Sequence, residues 1–544
     1  MEADDRDTPT PSLDPGAPME NTATAPAPPD ARPTGPGRLA DNALGLPSVL
    51  FCIVTGAAPL TAMLFNVPVS VNGGGWAAPA AFGIATVALV VFSVGYIAMS
   101  KRVTSAGGFY TFVSRGLGRV VGVGSGVLIA LCYMIFAAAV IGVLGYFAAS
   151  TVEAFVGVAV PAWVYMVLAL AIMSALAWFH IELTAKVLGV MLVGEVLALL
   201  VLSVAILGRG GAEGLSARPF NPVAVFDNPG ALQVFGSAAA GVALFAAFWS
   251  WVGFEMAPNY AEESREPQKI ASIATYGSVI GLGVFYMIVS YAFVSGWGLT
   301  GSVQAVSDQL NGVYSSAFYP LSDRYVGGWL TVVLEILAVT SSFACAMAFY
   351  NTAARYLFAL GREGVLPAAL ARTSSHRSPG VASATVTVVV FLYGLGFVLY
   401  DPSTEGALTK LGTWSPLLGV LGILAVQALV CVAVIRYFRT TARDGFSVWS
   451  TLVAPVVGGL AMVGACYLLI ANRAALAAAE GVPFITLLPY VPLVFFAAGV
   501  VIALVLRRRR PEVYAGLGHF SLSDPVLDDA APAAEHAPDE EVTA

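Results

Sequence analysis

Charge is what this sequence has least of. Only 11% of its 544 residues are Asp, Glu, Lys or Arg, and 58% are hydrophobic. Soluble domains carry about a quarter charged residues, so the deficit argues against an ordinary soluble protein and for a lipid surround. Histidine is also scarce: His180, His376, His519 and His536 fall at span ends, in loops or in a tail, with no sign of a ligand set or a catalytic base. The five cysteines (Cys52, Cys132, Cys345, Cys431, Cys466) all sit in apolar segments without C-x-x-C spacing. That suggests no disulfide framework and no zinc site, and reads as small packing residues. No glycine loop ending in Lys-Ser/Thr is present, so direct drive by ATP within this chain is not expected. Nor is there the clustered nucleophile or His/Asp set of a membrane-embedded enzyme. No cofactor, metal or nucleic acid is expected. The first forty residues lack the basic start and apolar stretch of a secretory signal, so the first apolar helix should remain as a span.

What the chain does have is long apolar runs. A span needs about 20 apolar residues to cross ~30 Å of hydrocarbon. The runs predict an all-α membrane protein of about twelve spans near 47–70, 78–99, 121–149, 162–179, 186–208, 233–260, 272–296, 328–354, 381–400, 411–436, 449–471 and 486–506. The net charge of −7 belongs to the tails. Residues 1–40 carry seven acids against three arginines, and 511–544 carry eight acids and no Lys or Arg. Both tails are rich in Pro, Ala and acids, and 1–43 and 511–544 are expected to be disordered and cytoplasmic, flanking a membrane domain over 44–510. With an even span count, 21 of the 26 basic residues fall on the side of both termini. Basic residues mark the cytoplasmic face, which puts both termini there.

Two spans contain helix-breaking sequence at mid-depth. Irregular backbone survives in a membrane only where it lines a cavity or is buried in protein. The first span holds Thr55-Gly56-Ala57-Ala58-Pro59, where Pro59 removes a donor and Gly56 allows unusual dihedrals. The sixth holds Phe248-Trp249-Ser250-Trp251-Val252-Gly253-Phe254-Glu255. A proline kink and an aromatic seam are the plain alternatives. The matched positions, first and sixth, suit a solute site at the bilayer midplane between two repeats. Half-helix N-termini attract an anion and exposed carbonyls a cation, a pairing that fits an amino acid.

Four stretches resemble the amino acid–polyamine–organocation permeases: the break in span one; Ser105-Ala106-Gly107-Gly108-Phe109-Tyr110 with Arg115 and Gly118; Gly253-Phe254-Glu255 with Glu262-Glu263-Ser264-Arg265-Glu266-Pro267; and Asn351 with Arg355 through Gly361-Arg362-Glu363-Gly364-Val365-Leu366-Pro367. The resemblance implies two inverted five-helix repeats of leucine-transporter type, about 47–208 and 233–436, plus two peripheral helices within 449–506. It also implies substrate held between spans 1, 3, 6 and 8. Thr55, Gly56, Ala57, Ala58, Tyr133, Phe248, Trp249, Ser250, Trp251 and Gly253 are the expected substrate residues. Glu262, Glu263 and Glu266 are expected to pair with Arg115, Arg355 or Arg362 in an inner gate beside Asn351, with solvated charge at helix ends the alternative.

Ionisable residues inside spans are functional candidates by default. Glu255 follows the second break and is expected to gate or brace it. Glu195 lies mid-span where, by the resemblance, several proton-coupled members of that family place a lysine, a departure from that pattern. With Ser341 and Ser342 it is the candidate for binding H⁺ or Na⁺, the proton being preferred. Glu335 shares a face with Ala338 and Ser342 and is expected near an outer helix end. The expected function is a plasma-membrane amino acid permease, proton-coupled or exchanging. A polyamine permease and sodium symport remain alternatives, and a channel or receptor is a separate class. The expected partners are a small amino acid or amine and the bilayer; oligomeric state stays open.

Overall fold

A computed structural model describes residues 46–103, 107–179, 181–227, 230–256, 267–374, 378–441, 445–479 and 481–518, and those residues contain no strand. The helices that matter here are α1 (Leu46–Ala57), α2 (Pro59–Gly74), α3 (Ala78–Ser100), α4 (Gly108–Leu117), α5 (Arg119–Val156), α6 (Ala162–Phe179), α7 (Ile181–Gly208) and α8 (Ser237–Trp251). They continue with α9 (Pro267–Trp297), α10 (Gly328–Arg362), α11 (Gly380–Tyr400), α12 (Gly412–Thr440), α13 (Ala454–Ala471), α14 (Tyr490–Arg509) and α15 (Pro511–Gly516). Short helices at Leu299–Leu310 and Phe318–Tyr325 join α9 to α10.

Among the described residues, ten helical stretches are long and apolar enough to cross a membrane. One of them, Ile53–Ser100, has 48 residues. At ~1.5 Å per residue it crosses ~30 Å of hydrocarbon twice. With the shorter apolar helix Ala162–Trp178 the crossings number twelve, in the order expected from the apolar runs. The outward surface is aliphatic: Leu399 is 77% exposed, and Val204 and Leu460 are each 68% exposed. A belt of that kind is stable against lipid tails and not against water.

The packing repeats. The first crossing packs on the sixth (α2 on α8), the second on the seventh (α3 on α9), the third on the eighth (α5 on α10) and the fourth on the ninth (α6 on α11). The members of each pair are five places apart in the order of crossings, an odd step, so counterparts run through the membrane in opposite directions. This is the inverted-repeat architecture. The last two crossings add to one flank, α13 against α12 and α3, and α14 along α5. Glycines set that last contact: a Cβ on Gly499 would sit 2.7 Å from the Gly124 Cα. Small residues let membrane helices approach this closely.

Order extends past the expected tail boundary at 511. Residues 511–516 are helical and Leu517 is buried. Arg119 holds them, donating to Ala515 O at 2.7 Å and Leu517 O at 3.3 Å, with its guanidinium over the Tyr514 ring. Composition hid this because Val513, Tyr514 and Leu517 are a few apolar residues at the head of an acidic, proline-rich stretch.

Candidate functional site

The first break is built by Ala58 and Pro59. α1 ends at Ala57, Ala58 adopts the left-handed conformation (φ 40°, ψ 71°), and α2 restarts with proline in its first turn. A helix start leaves its first N–H groups without intrahelical partners. The Ala58 N–H turns back to Val54 O at 3.0 Å, and Pro59 has none. The Leu60 N–H is turned toward the Glu195 carboxylate, and the Thr61 N–H donates to Ser341 Oγ at 3.3 Å. Ser341 Oγ in turn donates to Glu195 Oε2 at 2.7 Å. The Thr61 and Ser342 hydroxyls meet at 3.1 Å, with Ser342 also donating to Ala338 O. Glu195, 2% exposed on α7, therefore sits at the positive end of α2. Tyr286 and Cys345 are the other titratable side chains within its electrostatic reach.

The last carbonyls of α1 also find donors. Val54 O and Thr55 O take the Ala58 N–H, Cys345 Sγ donates to Gly56 O at 3.1 Å, and the Tyr286 hydroxyl lies 3.3 Å from Ala57 O. The Tyr286 hydroxyl also donates to Ser250 O at 3.0 Å, so its single proton is shared across both breaks. A weak thiol donor and a shared hydroxyl leave Gly56 O and Ala57 O with spare acceptor capacity.

The second break closes on itself. α8 ends at Trp251, and Gly253 turns at φ 121°, a region reserved for glycine. Two residues later Glu255 reaches back, Oε2 accepting the Gly253 N–H at 3.0 Å and Oε1 the Tyr133 hydroxyl at 2.8 Å. The Tyr96 hydroxyl donates to Glu255 O at 2.8 Å. The two breaks touch: a Cβ on Gly253 would lie 3.1 Å from Gly56 C.

Between them lies a small cavity of about 30 Å³, room for a water and well short of a full ligand site. Of the expected substrate residues, Gly56, Ala57, Ala58 and Trp249 line it. Trp249 stacks on Phe349, with ring centroids 5.9 Å apart, and lies 4.7 Å from Phe136. Thr55, Tyr133, Ser250 and Gly253 stand behind the wall; Tyr133 serves Glu255, and Ser250 is hydrogen-bonded inside the helix pair. Phe248 and Trp251 face the opposite side, toward a second, smaller space beside Gln427, and Trp251 donates to Val279 O at 3.3 Å. Sequence reasoning missed Asn66, Cys345, Phe349 and Tyr286. No periodicity marks them, because each matters only through the helix that packs opposite.

At the end of α10, Arg355 is buried, Arg362 is half-buried and Asn351 lies one turn before Arg355; Arg115 is exposed in the last turn of α4. Glu262, Glu263 and Glu266, their expected partners, lie outside the described residues. Glu363 accepts the Tyr110 hydroxyl and, at 3.1 Å, the Gly518 N–H. Burial pushes the Glu363 carboxyl up, opposed by those two donors and by the charges of Arg362 and Arg115. Glu335 is half-buried on α10.

The amino acid permease family model matches residues 44–513. The chain is 24% identical to the putrescine transporter PotE of Haemophilus influenzae over 42% of its own length and 49% of that protein's. It is 24% identical to the branched-chain amino acid permease BcaP of Bacillus subtilis over 43% and 46%. To the D-serine/D-alanine/glycine transporter of Escherichia coli K12 it is 26% identical over 41% and 44%. The matched stretches span about half the length of these curated relatives. A family match across most of the chain, on an all-helical membrane architecture with paired broken helices, leads to one conclusion: this chain belongs to the amino acid permease family.

Proposed function

We propose that the protein is a secondary active permease that carries amino acids across the plasma membrane by alternating access, both termini in the cytoplasm, with proton binding at Glu195 linked to substrate binding. The observation that carries the coupling is the relay at the α2 N-terminus. The Thr61 N–H, part of the natural seat of a substrate carboxylate, is held by Ser341, whose hydroxyl donates to Glu195. A substrate carboxylate and the Glu195 carboxylate compete for one positive helix end. Protonating Glu195 weakens its hold, since hydrogen bonds to an ionised acceptor are about twice as strong as neutral ones. The ammonium is served by Gly56 O and Ala57 O, and Trp249 and Phe349 wall the side chain. The Ser341 hydroxyl proton aimed at the carboxylate also favours a proton over Na⁺, which needs oxygen lone pairs rather than donors. Arg115, Arg355 and Arg362, with Glu262 and Glu263, complete the proposal as an inner gate.

The sign follows directly. Uptake of a carboxylate-bearing substrate rises as external pH falls, and an imposed Na⁺ gradient adds nothing. Purified protein in proteoliposomes, offered labelled amino acids and polyamines with and without pH and Na⁺ gradients, tests this. No transport of any such solute overturns the permease; transport of amino acids indifferent to pH overturns the coupling. Glu195→Gln keeps exchange and loses the pH dependence. An amine without a carboxylate is the second reading, favoured by the fact that it need not displace Glu195. It predicts putrescine uptake indifferent to Glu195→Gln.

A further inference from the structure

The chain does not leave the membrane domain where the last crossing ends. Residues 511–518 lie across α4, the start of α5 and the end of α10, with Leu517 1% exposed. On the α5 side the hold is strong: Arg119 donates to Ala515 O and Leu517 O, and its guanidinium lies over Tyr514. On the α10 side it is slighter. The Gly518 N–H donates to Glu363 Oε2 at 3.1 Å, and Val513 packs on Gly364. The same Glu363 oxygen accepts the Tyr110 hydroxyl of α4. Gly518, at φ 69°, presses on α4 as well: a Cβ there would lie 2.5 Å from Ser114 Cβ. Both the turn and the space demand glycine.

Resting on the permease reading, we infer that residues 511–518 are a strap that pins α4 to the end of α10, and that its release from Glu363 and Ser114 sets how fast the inner side opens. The packing decides which joint can move. α5 and α10 pack together and α14 runs along α5, so these three and the strap's root form one block. α4 is a short helix between the second and third crossings, joined to the end of α10 through Tyr110 and Glu363. Gly518 sits in that joint, between Ser114 and Glu363. Those two residues are the chain neighbours of Arg115 and Arg362, members of the proposed inner gate, and the charges of both arginines reach Glu363. The unequal hold fixes which end lets go: two carbonyls and a ring on Arg119 against one N–H on Glu363. A hold of that size can break and re-form in every cycle.

The test uses the full-length protein. Gly518→Ala drives a Cβ onto Ser114 and dislodges the far end of the strap; Leu517→Ser weakens its buried anchor. Both changes lie in the strap itself and leave the helices it spans unaltered. In proteoliposomes each should raise the rate of amino acid exchange about two- to tenfold, the factor expected from losing about one hydrogen bond of hold. A merely structural role would lower the rate together with the unfolding midpoint in detergent. A second measurement decides the matter where neither variant folds. In Leu517→Cys, labelling by a thiol reagent should be slow at rest and faster during exchange, with the unsubstituted protein as the background for its own cysteines. Exchange no faster than wild type in both variants, or Leu517→Cys labelling indifferent to exchange, overturns the strap and leaves the permease standing. Absence of all amino acid and amine transport by the wild type removes both.

Discussion

The two helix breaks meet in space but are held in different ways. The second is closed from within: Glu255 caps the Gly253 N–H two residues back, and Gly253 supplies a positive φ that costs glycine little. The first is closed from outside. Its Thr61 N–H goes to Ser341 on α10, which in turn donates to Glu195 on α7, both far away in sequence, and its turn is made by Ala58, a residue ill-suited to φ 40°. A break closed by its own neighbours stays closed as other helices move. On the proposed coupling, a break closed by two distant helices would open when either shifts or when Glu195 takes a proton. The proposal therefore puts the switch at the first break and the fixed wall at the second.

The largest effect should come from forcing a side chain into the fixed wall. Gly253→Ala places a Cβ at φ 121° and 3.1–3.2 Å from the Gly56 and Ala57 backbone. Strain and overpacking together should cost about 2–5 kcal/mol, read as a lower unfolding midpoint in detergent and a poor yield. A midpoint equal to the wild type would mean the breaks are not in contact. Next, Glu255→Gln keeps an acceptor for Gly253 but turns an amide toward the Tyr133 hydroxyl. The loss should be about 1–3 kcal/mol, with the pH dependence of uptake unchanged. If instead that dependence disappears, the two carboxylates have exchanged the roles given to them. Ser341→Ala should cost about 1–2 kcal/mol, by stranding the Thr61 N–H and removing a donor from Glu195. It should also move the pH midpoint of uptake, which Glu255→Gln should not.

The sequence made this contrast partly legible. Gly253 stands out as a glycine closing an aromatic run, and Glu255 as a carboxylate in an apolar one. Pro59 marks where α2 must restart. What could not be read is adjacency. Glu195 and Ser341 are 146 residues apart, Asn66 and Ser250 184, and no local pattern says that they share a hydrogen bond. The twelve crossings followed from the length of the apolar runs, which lipid enforces strictly. The side of a helix that faces the cavity does not follow, because inside a membrane both sides are apolar: Phe248 and Trp249 are neighbours that face different spaces. Ala58 was hidden for a further reason, since alanine is a strong helix former and carries no sign of a left-handed turn.

That residue supplies the smallest and most pointed comparison. An L-residue in the left-handed region costs about 1–2 kcal/mol, which glycine avoids, while glycine costs ~0.5–1 kcal/mol more in lost chain entropy. Ala58→Gly should therefore raise stability by no more than about 1 kcal/mol, opposite in sign to Gly253→Ala. Its effect on transport should be larger than its effect on stability. Strain at Ala58 favours any arrangement in which the turn relaxes, so relieving it stabilises the closed first break and slows turnover. The unfolding midpoint and the exchange rate, measured on the same preparation, separate the two. An exchange rate left unchanged by Ala58→Gly would show that Ala58 is not part of the switch, and that the first break is as fixed as the second.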